Sequence, residues 1–150
     1  MHICALQSYS DMDEHGVNLL DLPAEILFII LKKLDNIDVL YSLLGVDSQR
    51  LDIVVQDRIF TTTLNFFSIS QSTNGILSSD SIFDRFSKSI LPKIHRNIKS
   101  LILEFGSIEC ILRAAHYPNL EHLELFNFKK AILSRHFVGK KFISIILFKR

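Results

Sequence analysis

The densest set of side chains able to do chemistry lies between His116 and Glu124, where His116 and His122 stand near Glu121 and Glu124. Imidazole and carboxylate at close spacing are the usual ligands of a divalent metal. Here the spacing spans a Tyr117-Pro118-Asn119 turn and then alternate faces of a strand, so no compact ligand set emerges. His95 and His136 read as surface residues. Serines, histidines and aspartates are present, but the Gly-x-Ser-x-Gly elbow that exposes a nucleophile is not. The five glycines are dispersed, so no loop cradles a phosphate. Cys4 and Cys110 are far apart and make neither a disulfide framework nor a metal spacing. They read as plain thiols of a reducing compartment. These residues argue against an enzyme and against a metal or cofactor, and toward a protein that works by binding.

The stretch from Asn18 to Val46 carries that binding reading. It reads NLLDLPAEILFIILKKLDNIDVLYSLLGV, with a Leu-Pro start and six consecutive apolar residues, Ile26 to Leu31. A helix in a small domain normally hides one apolar stripe and shows a polar back. This one is apolar all the way round. One face can pack on the domain, and the other calls for a partner.

The elements that must position this stretch follow from caps and periodicity. Pro23 suits the first helical turn, and Glu25 favours the positive end of the helix dipole. Lys32 and Lys33 take the last turn. Asp35 or Asn36 caps a second helix, Ile37 to Leu44, and Gly45 can end it in a left-handed conformation. Asp47 or Ser48 opens a third helix to about Gln56, with Leu51, Val54 and Val55 inward. Thr63 to Phe67 favours a strand, and the Ser-dense residues 68–81 a loop. Ile82 to Leu91 has helical spacing, limited by Pro92. Residues 1–17 read as a flexible arm.

The remaining third contains a repeat. Ile98-x-x-Leu101-x-Leu103 recurs as Leu120-x-x-Leu123-x-Leu125 and as Phe142-x-x-Ile145-x-Leu147, each 22 residues after the last. Each unit alternates as a strand with one buried face does. Ser107 to Ala115 and Lys129 to Phe137, between the units, are helical in pattern. A strand plus a helix every 20–29 residues is the leucine-rich-repeat signature, and such units stack with parallel strands.

Composition fits a folded, non-membrane chain. Hydrophobic residues make up 48%, and no run approaches the roughly 18–20 apolar residues of a bilayer span. The N-terminus, with Asp11, Asp13 and Glu14, lacks a secretory pattern. Net charge is +1, with residues 18–62 carrying 4 basic and 7 acidic groups and residues 63–150 carrying 13 and 6. That asymmetry favours two modules with different partners. The basic residues are scattered and not interleaved with aromatics, which argues against nucleic acid.

Leu22-Pro23-Ala24-Glu25-Ile26-Leu27, followed by Ile30-Leu31, Leu34-Asp35, Asp38-Val39-Leu40 and Leu43-Leu44, resembles an F-box. The resemblance runs from about Asn18 to Phe60. It implies a three-helix unit that docks onto the Skp adaptor of a cullin–RING ubiquitin ligase. On that likeness Leu22, Pro23, Ile26, Leu27, Ile30 and Leu31 face the adaptor or support the facing helix. Leu40, Leu43 and Leu44 share the core and the contact. F-box proteins often carry a Trp-Arg pair in the third helix and a Trp near the end. This chain has no Trp, and Gln49-Arg50-Leu51 and Ile59-Phe60 stand in those places. The third helix therefore carries the resemblance least.

An F-box ahead of leucine-rich repeats is the order of a ligase substrate receptor, in which the repeats select a protein substrate. The expected fold class is α+β: a flexible arm (1–17), a three-helix F-box (18–62), a connecting strand, loop and helix (63–97), and a short leucine-rich-repeat α/β solenoid (98–150) with a strand and a helix per 22-residue repeat. The expected partners are the Skp adaptor, through it a cullin, and an unidentified protein substrate, in the cytoplasm or nucleus. The alternative is a non-catalytic interaction scaffold, or a truncated receptor, that no longer engages the ligase. In the repeats, the side chains alternating with the buried ones would form the recognition face: Ser100, Ile102 and Glu104, then His122, Glu124 and Phe126, then Ser144, Ile146 and Phe148. Parallel stacking would align Ser100, His122 and Ser144 in one column and Ile102, Glu124 and Ile146 in the next. The family's turn Asn or Cys falls at Gly106, Phe128 and Arg150, with Asn127 one residue early. The chain stops soon after Leu147 with no polar terminal cap, which is expected of a fragment of a longer repeat protein.

Overall fold

A computed structural model describes residues 18–67, 69, 79–127 and 144–148. The flexible arm expected over 1–17, most of the Ser-rich loop, the helix expected over Lys129 to Phe137, and Phe142, Phe128 and Arg150 lie outside the described residues. The chain is mixed helix and strand. Leu19–Asp21 forms a single 3-10 turn, and four helices follow: α1 (Ala24–Leu31), α2 (Asn36–Leu43), α3 (Gln49–Val55) and α4 (Arg58–Thr61). Strand β1 (Thr63–Asn65) comes next. Then come α5 (Ser79–Arg85), a π-helical turn (Phe86–Ile90), α6 (Leu91–Ile94), β2 (Ser100–Glu104), α7 (Phe105–Ala114), β3 (His122–Phe126) and β4 (Ser144–Phe148).

The helix boundaries follow from caps. Pro23 sits just before α1, and its carbonyl accepts from the N–H groups of Ile26 and Leu27. Ser48 caps α3 by accepting from the Leu51 N–H at 3.3 Å. Gly45, at φ +80°, turns the chain after α2 in the left-handed region that glycine adopts without strain. The third helix, which carries the resemblance least, is thus capped at its N-terminus and buries Leu51, Val54 and Val55.

Several elements depart from the sequence reading. The short helix α4 was not expected. Asp57 starts it by accepting from the Ile59 N–H at 2.9 Å, and it buries Phe60. The helix expected to stop before Pro92 instead runs on to Ile94. The π turn widens the backbone there, so the Leu91 N–H reaches back to Phe86 O, five residues away. Pro92, which has no N–H to give, then falls at the start of α6. The helix expected from Ser107 begins at Phe105. Glu104 and Ser107 cap it reciprocally, with the Glu104 N–H donating to Ser107 Oγ at 3.1 Å. Gly106 is therefore inside a helix rather than at the turn position.

The four strands form one parallel sheet in the order β1-β2-β3-β4. Its register is that of the 22-residue repeat. Ser100 pairs with His122 and His122 with Ser144, and Ile102 pairs with Glu124 and Glu124 with Ile146. Leu101, Leu103, Leu123 and Leu125 point inward and are fully buried. The strand expected over 63–67 is shorter and joins the sheet beside β2, with Thr63 opposite Ser100. The Asn65 side chain ends it by accepting from the Phe67 N–H at 3.0 Å.

The helices and the sheet share one continuous core, from Leu27 to Leu125. Asn36 of α2 donates from Nδ2 to Thr63 O at 2.9 Å, which ties α2 to β1. Phe66 packs edge-on against Phe86 at 5.0 Å between ring centroids, and Tyr41 stacks on Phe86 at 6.4 Å. The Arg85 guanidinium lies 5.1 Å from the Tyr41 ring centre and donates to Leu44 O at 3.1 Å. Helix α7 is held to its following turn by Tyr117, whose buried hydroxyl donates to Ile111 O.

Burial raises the Tyr117 phenol well above its ordinary range, and Cys110 adds to the shift. The sign of its effect on stability follows. An unfolded chain releases this proton near the ordinary phenol value of about 10, while the folded chain holds it. Stability is thus unaffected by this group below that pH and falls as the pH rises above it. Denaturant unfolding in an alkaline series should give a steeper loss for the wild type than for Tyr117→Phe. Equal slopes would contradict the assignment.

Candidate interaction surfaces

Helix α1 divides its apolar residues between two faces. At about 100° per residue, Ala24, Leu27, Phe28 and Leu31 share one side, and Ile26, Ile29 and Ile30 share the opposite side. Leu27 and Leu31 are fully buried, and Phe28 stacks on Phe60 at 5.8 Å with the rings 12° from parallel. Ile26 is 41% and Ile29 57% exposed, while Ile30 is half-buried. The core takes one stripe and leaves the other in solvent.

The nine residues expected at the adaptor fall into two groups. Pro23 and Ile26 are exposed, and Leu22 and Ile30 are half-buried, so these four can be touched. Leu27, Leu31, Leu40, Leu43 and Leu44 are buried in the core and cannot present a side chain to a partner. Their share in any contact is to support the outer stripe. Burying them is the lower-energy arrangement, since a fully buried leucine is worth about 1.5–3 kcal/mol over an exposed one.

The sequence reading also missed residues. Ile29 belongs to the outer stripe, and its i+3 spacing from Ile26 is the signal that marks it. Leu20, Ile53 and Ile59 are exposed apolar residues on the 3-10 turn, α3 and α4, and Ile53 at 68% is the most exposed large apolar side chain described. Ile53 lies opposite the inward set of its own helix, Leu51, Val54 and Val55.

A second candidate surface is the outer face of the sheet. Ser100, Ile102, Glu104, Glu124 and Phe126 are half-buried on it, and His122 is exposed. Ser144, Ile146 and Phe148 extend the three columns by backbone register. Strand β1 adds Thr63 and Asn65, a contribution that its assignment to a connecting segment concealed. Phe67, just beyond it, meets Phe126 at 4.6 Å between ring centroids. Asn127, at φ +52°, donates from Nδ2 to Glu104 Oε1 at 3.2 Å and so links the ends of β3 and β2. It does this from one residue before the position where the repeat pattern places its turn Asn.

The residues that opened the search for chemistry are not brought together. Glu121 pairs with Lys99 at 3.2 Å. The His116 carbonyl lies 2.7 Å from His95 Nδ1, and His122 and Glu124 stand on the sheet's outer face. Among the described residues, no three His, Cys, Asp or Glu side chains converge as a metal site would require. No helix among them is long and apolar enough to cross a membrane.

No protein-family model matches the chain, and no curated protein matches it significantly.

Proposed function

We propose that the chain is the substrate-recognition subunit of a Skp–cullin–F-box ubiquitin ligase. Its N-terminal helices dock on the Skp adaptor, and its sheet face holds a protein substrate. The observation that carries the reading is the outer stripe of α1. Ile26 and Ile29 stay in solvent directly after the Leu22-Pro23 opening, although the same helix fills the core with its other face. Exposed apolar residues grouped on one helix mark a protein contact. The short helices α1 to α3 are the kind of unit an F-box resemblance implies. The in-register parallel strands at a 22-residue period agree with a leucine-rich-repeat reading.

The mechanism is proximity. A substrate held on the sheet face is tethered beside the ubiquitin-loaded enzyme, which raises the effective concentration of its lysines there. This chain makes and breaks no bond itself. The compartment that suits such a ligase is the cytoplasm or nucleus.

Binding of purified Skp adaptor to the purified chain tests the reading. The wild type is expected to bind, and Pro23→Ala combined with Ile26→Asp to lose binding while keeping its circular dichroism. A wild-type chain that fails to bind overturns the receptor reading. The second reading, a scaffold that no longer engages the ligase, is favoured by the lack of Trp. The same measurement separates the two.

A further inference from the structure

The segment leading into α1 is held by the partial packing of Leu19 and Leu22 on the core and by a few local bonds. No residue of the 3-10 turn Leu19–Asp21 is buried, and Leu20 is 41% exposed. Its local bonds are the Asp21 N–H to Asn18 O at 2.9 Å, the Leu20 N–H to Asn18 Oδ1 at 3.1 Å, and a long one from the Leu22 N–H to Leu19 O at 3.4 Å. A single exposed turn with so few bonds opens readily on its own.

Arg50 supplies a long-range hold. Its Nη1 donates to Leu20 O at 2.5 Å, and its Nη2 donates to Leu22 O. One planar guanidinium thus grips two carbonyls on either side of Asp21, from 30 and 28 residues away. Arg50 itself stands on a fixed helix. α3 buries Leu51, Val54 and Val55, and its Asp52 accepts from the Gly45 N–H at 2.7 Å. Three residues on from Arg50, and so on a neighbouring part of the helix surface, is the exposed Ile53.

We infer that Arg50 is a positioning residue of the docking face. It fixes Leu20, Leu22 and Pro23 against α3. Apolar groups from two distant segments then meet a partner as one preorganised surface, which lowers the ordering cost of binding. The inference rests on the docking reading above for the partner's identity, but the hold itself does not. The fork is the point. A lysine ammonium keeps the charge but cannot match two carbonyls with a rigid planar donor set.

The test measures hydrogen exchange at the Leu20, Asp21 and Leu22 amides in the wild type, Arg50→Lys and Arg50→Met, with adaptor affinity on the same samples. Arg50→Met should exchange about tenfold faster at those amides, and bind about tenfold more weakly, the size expected for losing charge-assisted bonds. The melting temperature should fall by no more than about 2–4 °C, the circular dichroism should stay unchanged, and Arg50→Lys should resemble Arg50→Met. Unchanged exchange at the three amides in Arg50→Met overturns the inference whether or not the adaptor binds. Faster exchange with undiminished affinity overturns the positioning role. A wild type that does not bind the adaptor sinks the ligase reading, while the exchange data still decide the hold by Arg50.

Discussion

Replacing Phe60 with alanine is expected to destabilise the protein by about 3–5 kcal/mol, the usual range for deleting a buried aromatic ring. Phe60 is 1% exposed and lies in a four-residue helix, so its own element cannot compensate. Its ring stacks on Phe28 of α1, the helix whose other face carries Ile26 and Ile29. Losing the ring opens a cavity beneath α1 and removes the stacking partner that fixes Phe28. Folded domains are stable by only about 5–15 kcal/mol, so the change consumes a large part of the total. Urea unfolding measures it directly, and a loss below about 1 kcal/mol would show that the stack is not what holds α4 to α1. Phe60→Leu keeps most of the buried volume and should cost less than Phe60→Ala.

The lack of Trp does not leave this region without a buried aromatic ring. F-box proteins often carry a Trp near the end of the unit, and this chain has Ile59-Phe60 there. Phe60 of Ile59-Phe60 is buried and stacks on Phe28. What could not be read was α4 itself. Four residues carry no helical period, and the helix depends on Asp57 and its tertiary setting.

The repeat was legible for the opposite reason. A one-residue slip between parallel strands with one buried face would turn the leucines outward, so the pattern excludes it. Leu101 and Leu123 are 22 residues apart, and pairing them fixes every other pair in β2 and β3. The strand β1 lies 37 residues before β2 in register, from Thr63 to Ser100, so it falls outside the period and its place in the sheet was hidden. Pro92 misled because its usual penalty presumes an unbroken α-helical ladder. The π turn before it shifts the ladder by one residue. The helical unit also has a second task that no local pattern announces. Helix α2 lies against β1, the first strand of the sheet, and so closes the end of the core at which the repeat begins.

Two neighbouring substitutions on α1 should have opposite consequences, and together they separate fold from function. Leu27→Asp places a carboxylate where exposure is zero. An unpaired charge there costs several kcal/mol or forces the group to take up a proton, so the folded population should collapse. Ile29→Asp, two residues on, sits at 57% exposure, and surface changes of this kind stay within about 0.5 kcal/mol. Its melting temperature should therefore match the wild type. If the outer stripe docks on the adaptor, the same substitution buries a charge only in the complex. Truncating or charging the centre of a protein contact costs upward of about 2 kcal/mol, or more than about thirtyfold in affinity. The decisive comparison is thus Ile29→Asp measured by melting and by adaptor binding. Stability retained with binding lost assigns the stripe to the partner. Stability lost would mean that Ile29 packs against the protein's own chain, and the surplus apolar face of α1 would then have an internal explanation. Wild-type affinity in a folded Ile29→Asp would move the contact away from this stripe, toward the exposed Leu20 and Ile53.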